Sequence, residues 1–389
     1  MRTLLYFFIF LIVYGSFYPF RFNIAACEPA LLKSLFDFNL GNNSRGDSLA
    51  NLLLFIPFGF TAILAFPDKH QIRRIIQILI IAFVFAYLIQ TVQLIVPGRI
   101  PSGSDALWNL LGCAIGCTLA CLPGPKNLSS CTLPDKLPSI PLILGLLWLA
   151  YNWAPFVPSI DLQLLKNNVK AIIYSTPEPL WLVQKMVMWL VIFHFLSKTR
   201  WPAKIERHFP LLILLTLAGS LFIVGHAATI NHAAGGILAI PAWYMIRHRN
   251  RPPLLTLLLL FTLLTTTFMP FDLRSTSHSF HWLPFAGALN GNLLLNAMAI
   301  SSKAIMYASL LWLLVETGLS LRAASMGLAT ILLASEVLQI FFQGPTPEIT
   351  DPLLVLMIAV AFNAYENVRK NQIRLSTDQV SVDHSSLGE

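Results

Sequence analysis

The stretch IIQILIIAFVFAYLIQTVQLIVPGRIPSGSD, residues 75–105, decides the fold class. Its first part carries no acid or base before Arg99 and is longer than the roughly 20 apolar residues a helix needs to cross hydrocarbon. The chain then breaks at Pro97 and Gly98, passes Arg99, and reaches Asp105, where a second apolar segment begins. Gln90, Gln93, Arg99 and Asp105 therefore collect at the junction of two spans. A later stretch, EVLQIFFQGPTPEITD, residues 336–351, repeats the layout of residues 90–105 without a gap. Gln339 answers to Gln93, Gly344 to Gly98, Pro347 to Pro101 and Thr350-Asp351 to Ser104-Asp105, while Glu336 stands where the first stretch has Gln90.

The whole chain has the same character. Of 389 residues, 56% are hydrophobic and 11% charged, and the mean hydropathy is +0.68. Soluble domains carry about 25% charged residues, so one globular core cannot hide this much apolar surface. The sequence predicts an all-α, polytopic transmembrane bundle of about twelve helices. The spans fall at 3–20, 48–66, 72–96, 105–122, 138–155, 178–197, 209–225, 228–246, 253–269, 289–315, 322–342 and 351–366. The first is read as a retained helix and not a signal peptide, because YGSFYPFRF follows it in place of a small-residue cleavage site. Seventeen of the 26 basic residues lie in loops on one set of sides and seven on the other, which places both termini in the cytoplasm of a cell-membrane protein. The net charge of +8 is then loop charge facing anionic lipid, with no need for nucleic acid.

A Pro-Phe pair closes a span at Pro19, Pro155 and Pro270. Each is followed by an outer loop and three more spans, so the chain reads as three parallel four-helix units: 1–122, 138–250 and 253–366, with a disordered polar tail at 367–389. Cys113, Cys117 and Cys121 lie at i, i+4, i+8 near Gly112 and Gly116, the spacing of a small-residue packing face. No disulfide framework is implied. The segment 161–173 reads as an amphipathic helix in the outer interface, with Asn168 on its polar face. The histidines show no metal spacing and are read as residues near the bilayer surface. No metal site, cofactor motif or P-loop is evident.

In the first unit, Asp47, Asn51, Phe55, Pro57 and Gly59 form D-x3-N-x3-F-x-P-x-G. Gln93, Arg99, Asp105, Asn109, Gly112 and Gly116 follow at the ends of the next two spans. This pattern resembles VanZ-like proteins, with Gln90 in place of the family's glutamate. The resemblance covers 1–122 well, 253–366 partly (Glu336, Gln339, Asp351), and the middle unit by topology. It implies an integral membrane protein of the cell envelope. The founding member confers low-level resistance to the glycopeptide antibiotic teicoplanin, and no reaction is carried over.

Asp47, Asn51, Gln90, Gln93, Arg99, Asp105 and Asn109 are thus candidates for one extracytoplasmic pocket, in which Arg99 can grip a phosphate or carboxylate. Ser104 and Thr350 also suit helix caps with an acid in the first turn. Lys185 and Lys303 lie inside spans, where an ammonium needs a partner or a cavity. Glu336 is the natural partner for Lys303 and Glu178 a weaker one for Lys185. The third-unit candidates are Lys303, Glu336, Gln339 and Asp351. The preferred expectation is a protein that binds an outer-leaflet lipid, lipid-linked precursor or glycopeptide. A flippase is one alternative. An intramembrane enzyme is another and requires two carboxylates around one cavity.

Overall fold

The computed structural model describes residues 1–24, 29–39, 45–66, 70–121, 138–198, 205–224, 228–246, 250–274, 279–289, 293–344 and 346–386. Of these, 29–30, 45–47, 49, 288–289, 293–294 and 371–386 are described by backbone alone. Cys27, Cys131, His226 and Asn292 lie outside the described residues. The chain forms two compact units, Met1–Leu137 with Asn363–Glu389, and Pro138–Phe362.

Among the described residues the elements are helical, with isolated bridges in place of strands. The first unit holds α1 (Arg2–Phe17), α2 (Pro29–Ser34), α3 (Arg45–Ala65), α4 (Gln71–Gln93) and α5 (Gly103–Cys121). The second begins with α6 (Ile140–Tyr151), α7 (Leu162–Tyr174), α8 (Pro179–Ser197), α9 (Phe209–Leu221) and α10 (Ile230–Met245). It continues with α11 (Arg251–Thr267), α12 (Ala286–Leu289), α13 (Leu293–Glu316) and α14 (Leu321–Gln339). The last helix, α15 (Thr350–Ser386), carries the polar tail onward as helix.

A helix lies within each of the twelve expected spans, but among the described residues six are long and apolar enough to cross a membrane. These are α4, α5, α8, α14 and the segments Leu295–Glu316 and Thr350–Lys370. Four others are apolar but shorter: Arg2–Phe17, Ala50–Ala65, Ile140–Tyr151 and Arg251–Thr267. The shortfall has a local cause. At 1.5 Å per residue, the 12 residues of α6 reach about 18 Å, against about 30 Å of hydrocarbon. Its expected span extended to Pro155, yet the helix stops before the Pro-Phe turn.

That turn recurs. Pro19, Pro155 and Pro270 follow cis peptide bonds, and Phe20, Phe156 and Phe271 have φ of 61°, 60° and 70°. Each Phe N–H reaches a carbonyl three residues back at 2.7 Å. Four residues past each proline, an N–H meets a carbonyl just beyond a later helix: Asn23 to Ile95, Ser159 to Phe222 and Arg274 to Phe341. These three bonds fix a common register for the ends of α4, α9 and α14.

In the first unit, α3 and α5 approach closely because glycine removes the side chain between them. A Cβ on Gly112 would fall on the Leu52 carbonyl, one on Gly116 on the Ile56 carbonyl, and one on Gly59 on the Cys113 carbonyl. Cys113 and Cys117 are free thiols, fully buried in this seam with Phe55, Ile63 and Ala82. Cys121, one turn on, is disulfide-bonded, a link the sequence reading did not contain. In the second unit, α10 approaches α8 at Gly235, where a Cβ would lie 2.8 Å from Lys185 Cβ. Arg251 caps α10 by donating to the Trp243 and Ile246 carbonyls, with its guanidinium 3.7 Å from the Trp243 ring centre. Gly116→Val should destabilise the first unit by about 1–3 kcal/mol or more, because backbone blocks the new side chain. Gly15→Ala, with open space around it, should be neutral or slightly stabilising. Thermal unfolding of the detergent-solubilised protein compares the two.

Candidate functional site

The junction of α4 and α5 gathers the first group of expected residues. Gln90 is buried, and its Oε1 accepts the Ser102 N–H at 3.0 Å. Gln93 donates from Nε2 to the Ser16 carbonyl at 3.0 Å. Arg99 donates from Nη2 to the Gly15 carbonyl at 2.9 Å and the Tyr18 carbonyl at 3.5 Å. Gln93 and Arg99 thus satisfy carbonyls at the C-terminus of α1, which no intrahelical N–H reaches. Asp105 sits half-buried in the first turn of α5. Asn109, one turn deeper, is 3% exposed, and its Oδ1 has no hydrogen-bond partner. Asn51 is half-buried on α3, and the Asp47 side chain falls outside the described residues.

The second group lines a cavity of about 410 Å³ in the second unit. Lys303, from the middle of α13, meets both carboxylate oxygens of Asp351 at 2.9 Å. Tyr307, one turn further along α13, donates to Asp351 Oδ2 at 2.7 Å. Asp351 occupies the first turn of α15, where the helix N-terminus also favours a negative charge. Glu336 on α14 is 3% exposed and accepts the Glu348 N–H at 2.9 Å, and it interacts with both Lys303 and Asp351. The expected Lys303–Glu336 pair is corrected accordingly. Asp351 makes the direct pair because its carboxylate opens the next helix, and Glu336 acts from the side. Gln339 lines the same cavity.

One hydrogen bond recurs in each group. Gln90 takes the N–H of the residue twelve positions on, and Glu336 does the same. The residue pairing proposed between 90–105 and 336–351 is therefore matched by a shared contact.

Sequence reasoning overlooked several lining residues. Tyr307 was legible as the residue one turn from Lys303 on the same helical face. Glu348 and Trp181 carried no such signal. Lys185 lines the cavity but is not paired with Glu178, which caps α8 nearly two turns away and binds Asn231 through its backbone. Two further expectations change. His194 is an internal residue and not a loop one: it is 2% exposed in the last turn of α8, its Nε2 2.5 Å from Glu316 Oε2, and Trp312 Nε1 donates to the other Glu316 oxygen at 3.1 Å. Asn168 is buried, not on a wet face, because it donates to the Leu221 carbonyl at 2.8 Å and so closes the end of α9.

Helix length and composition among the described residues mark a multi-pass, all-helical membrane protein. Within it, residues 5–123 match the VanZ/LLP1 family model, so this segment is VanZ-like. No curated protein matches the chain, and no solved structure does.

The Lys303 side chain is 45% exposed and that of Asp351 8%, which puts their coupling between exposed and buried limits. A double-mutant cycle of Lys303→Met and Asp351→Asn, read by unfolding, should give roughly 1–2 kcal/mol. Lys303→Met alone should cost more than Asp351→Asn, since it leaves a buried carboxylate without its cation, whereas an amide oxygen still accepts from Tyr307.

Proposed function

We propose that this VanZ-like membrane protein binds the polar head of an amphipathic envelope component, a lipid, lipid-linked precursor or glycopeptide, in the cavity of the second unit. The observation that carries this reading is the cavity itself. Its volume of about 410 Å³ falls within the roughly 300–1,000 Å³ of small-molecule sites. Trp148, Tyr151 and Trp181 give it an aromatic side, and Lys303 with Asp351 and Tyr307 gives it a charged one. The exposed part of Lys303 leaves the site reachable.

The same reading takes the chain as twelve spans in three VanZ-like units, with both termini cytoplasmic. Glu336 at the end of α14 and Asp351 at the start of α15 then lie toward the outer leaflet. The three recurring Pro-Phe turns support the division into units. In the first unit Asp47, Asn51, Gln90, Gln93, Arg99, Asp105 and Asn109 form a companion polar group, part of which clamps α1. A second reading is favoured by one specific feature: Glu336 and Asp351 bring two carboxylates to one cavity, the condition for acid–base chemistry on a lipid-linked substrate.

Purified protein should retain an envelope amphiphile detectable by native mass spectrometry. The double variant Lys303→Met/Asp351→Asn removes both charges together and should lower that retention about tenfold. Equal retention by the double variant, or wild-type protein that carries no amphiphile, overturns the binding reading.

A further inference from the structure

We infer that Lys185 is the anion-binding end of the second-unit cavity, and that the ligand carries a phosphate group there. This rests on the cavity being a ligand site, as proposed above.

Lys185 lines the 410 Å³ cavity and also an adjoining space of about 10 Å³, the size of a single water. The smaller space is edged by Asn152, Ser220 and His232, which are held by the Trp148 carbonyl, the Leu217 carbonyl and Thr229 respectively. Gly235 packs against the base of the Lys185 side chain, so the α8–α10 contact holds its stem. Among the described residues, Lys185 lines the cavity with neither a hydrogen bond nor a paired carboxylate.

Comparison with Lys303 shows what is missing. Lys185 has Trp189 four residues on, as Lys303 has Tyr307. The bonds Ser159 to Phe222 and Arg274 to Phe341 set α9 and α14 in common register. Counting back five residues from each acceptor reaches Leu217 on α9 and Glu336 on α14, and counting back two reaches Ser220 and Gln339. Leu217 and Ser220 line the small cavity beside Lys185, as Glu336 and Gln339 line the large one beside Lys303. At the head of the following helix, Thr350-Asp351 is replaced by Thr229-Ile230. Neither Glu336 nor Asp351, two of the three acids around Lys303, has an acidic counterpart at these positions beside Lys185. An ammonium kept inside a membrane protein without its acids takes its counter-charge from the ligand. Phosphate, a compact anion with several acceptor oxygens, suits an ammonium that no described carboxylate neutralises directly.

The test uses full-length protein in dodecyl maltoside, with binding read from the fluorescence of the tryptophans that line the cavity. The probes are dihexanoyl phosphatidylglycerol, dioctanoylglycerol and inorganic phosphate. Wild type should prefer the phospholipid to the diacylglycerol by about tenfold or more. Lys185→Met should abolish that preference without weakening diacylglycerol binding, and Lys185→Arg should preserve it. Competition by inorganic phosphate identifies the free anion as sufficient, and its absence identifies the lipid-borne phosphate; either supports the assignment if Lys185→Met removes the effect. A preference unchanged in Lys185→Met overturns the Lys185 assignment alone. Failure of wild type to bind either amphiphile overturns the cavity reading beneath it.

Discussion

A polar group enclosed by apolar helices must find its partner within the protein, and that constraint orders most of what is distinctive in this chain. The Lys303–Asp351–Tyr307 cluster is its fullest expression. It joins the middle of α13 to the first turn of α15 and brings Glu336 of α14 alongside. The cavity therefore sits where three helices are already committed to one another by charge. A hydrophobic substitute would pack as well, yet it would leave nothing in the wall to orient a polar ligand.

The same constraint acts at helix ends. Gln93 and Arg99 close α1, Asn168 closes α9, and Arg251 closes α10, each by donating to terminal carbonyls. Arg274 donates from Nε to the Phe342 carbonyl just past α14. Helix ends at membrane depth lack bulk water to satisfy those carbonyls, so side chains substitute. Several residues that look functional in a greasy sequence are doing this work. Arg99 is the clearest: its described bonds, to the Gly15 and Tyr18 carbonyls, hold the first helix.

Much of this was legible in the sequence, for physical reasons. Hydropathy marks helices in lipid, so a helix lies in every expected span; it does not mark where they stop, and the Pro-Phe turn and short helices such as α6 reduced the number of full-length spans. Fixed spacing of glycine and cysteine foretold the α3–α5 seam. The ungapped likeness of 90–105 and 336–351 foretold the twin bonds of Gln90 and Glu336. What could not be read was which acid would face which lysine, since that depends on helix rotation. Lys303 took Asp351 and not Glu336, and Lys185 took neither Glu178 nor any other described acid. His194 was misplaced for the same reason, because its partner Glu316 is distant in sequence.

Gln90 and Glu336 make the chain's division of labour explicit. Each accepts a backbone N–H from the residue twelve positions on, a bond that an amide oxygen and a carboxylate can both make. Geometry alone therefore does not require an acid at this position. The helices α3, α4 and α5 hold no lysine, and Gln90 is an amide; α13 holds Lys303, and Glu336 on α14 is an acid. Lys185 lies on α8, and the corresponding place on α9 is Leu217. One scaffold position thus appears as amide, acid and hydrocarbon, and what changes among the three is the charge presented beside it. That variation is what a shared helical framework would show if the bond served the fold and the charge served the ligand.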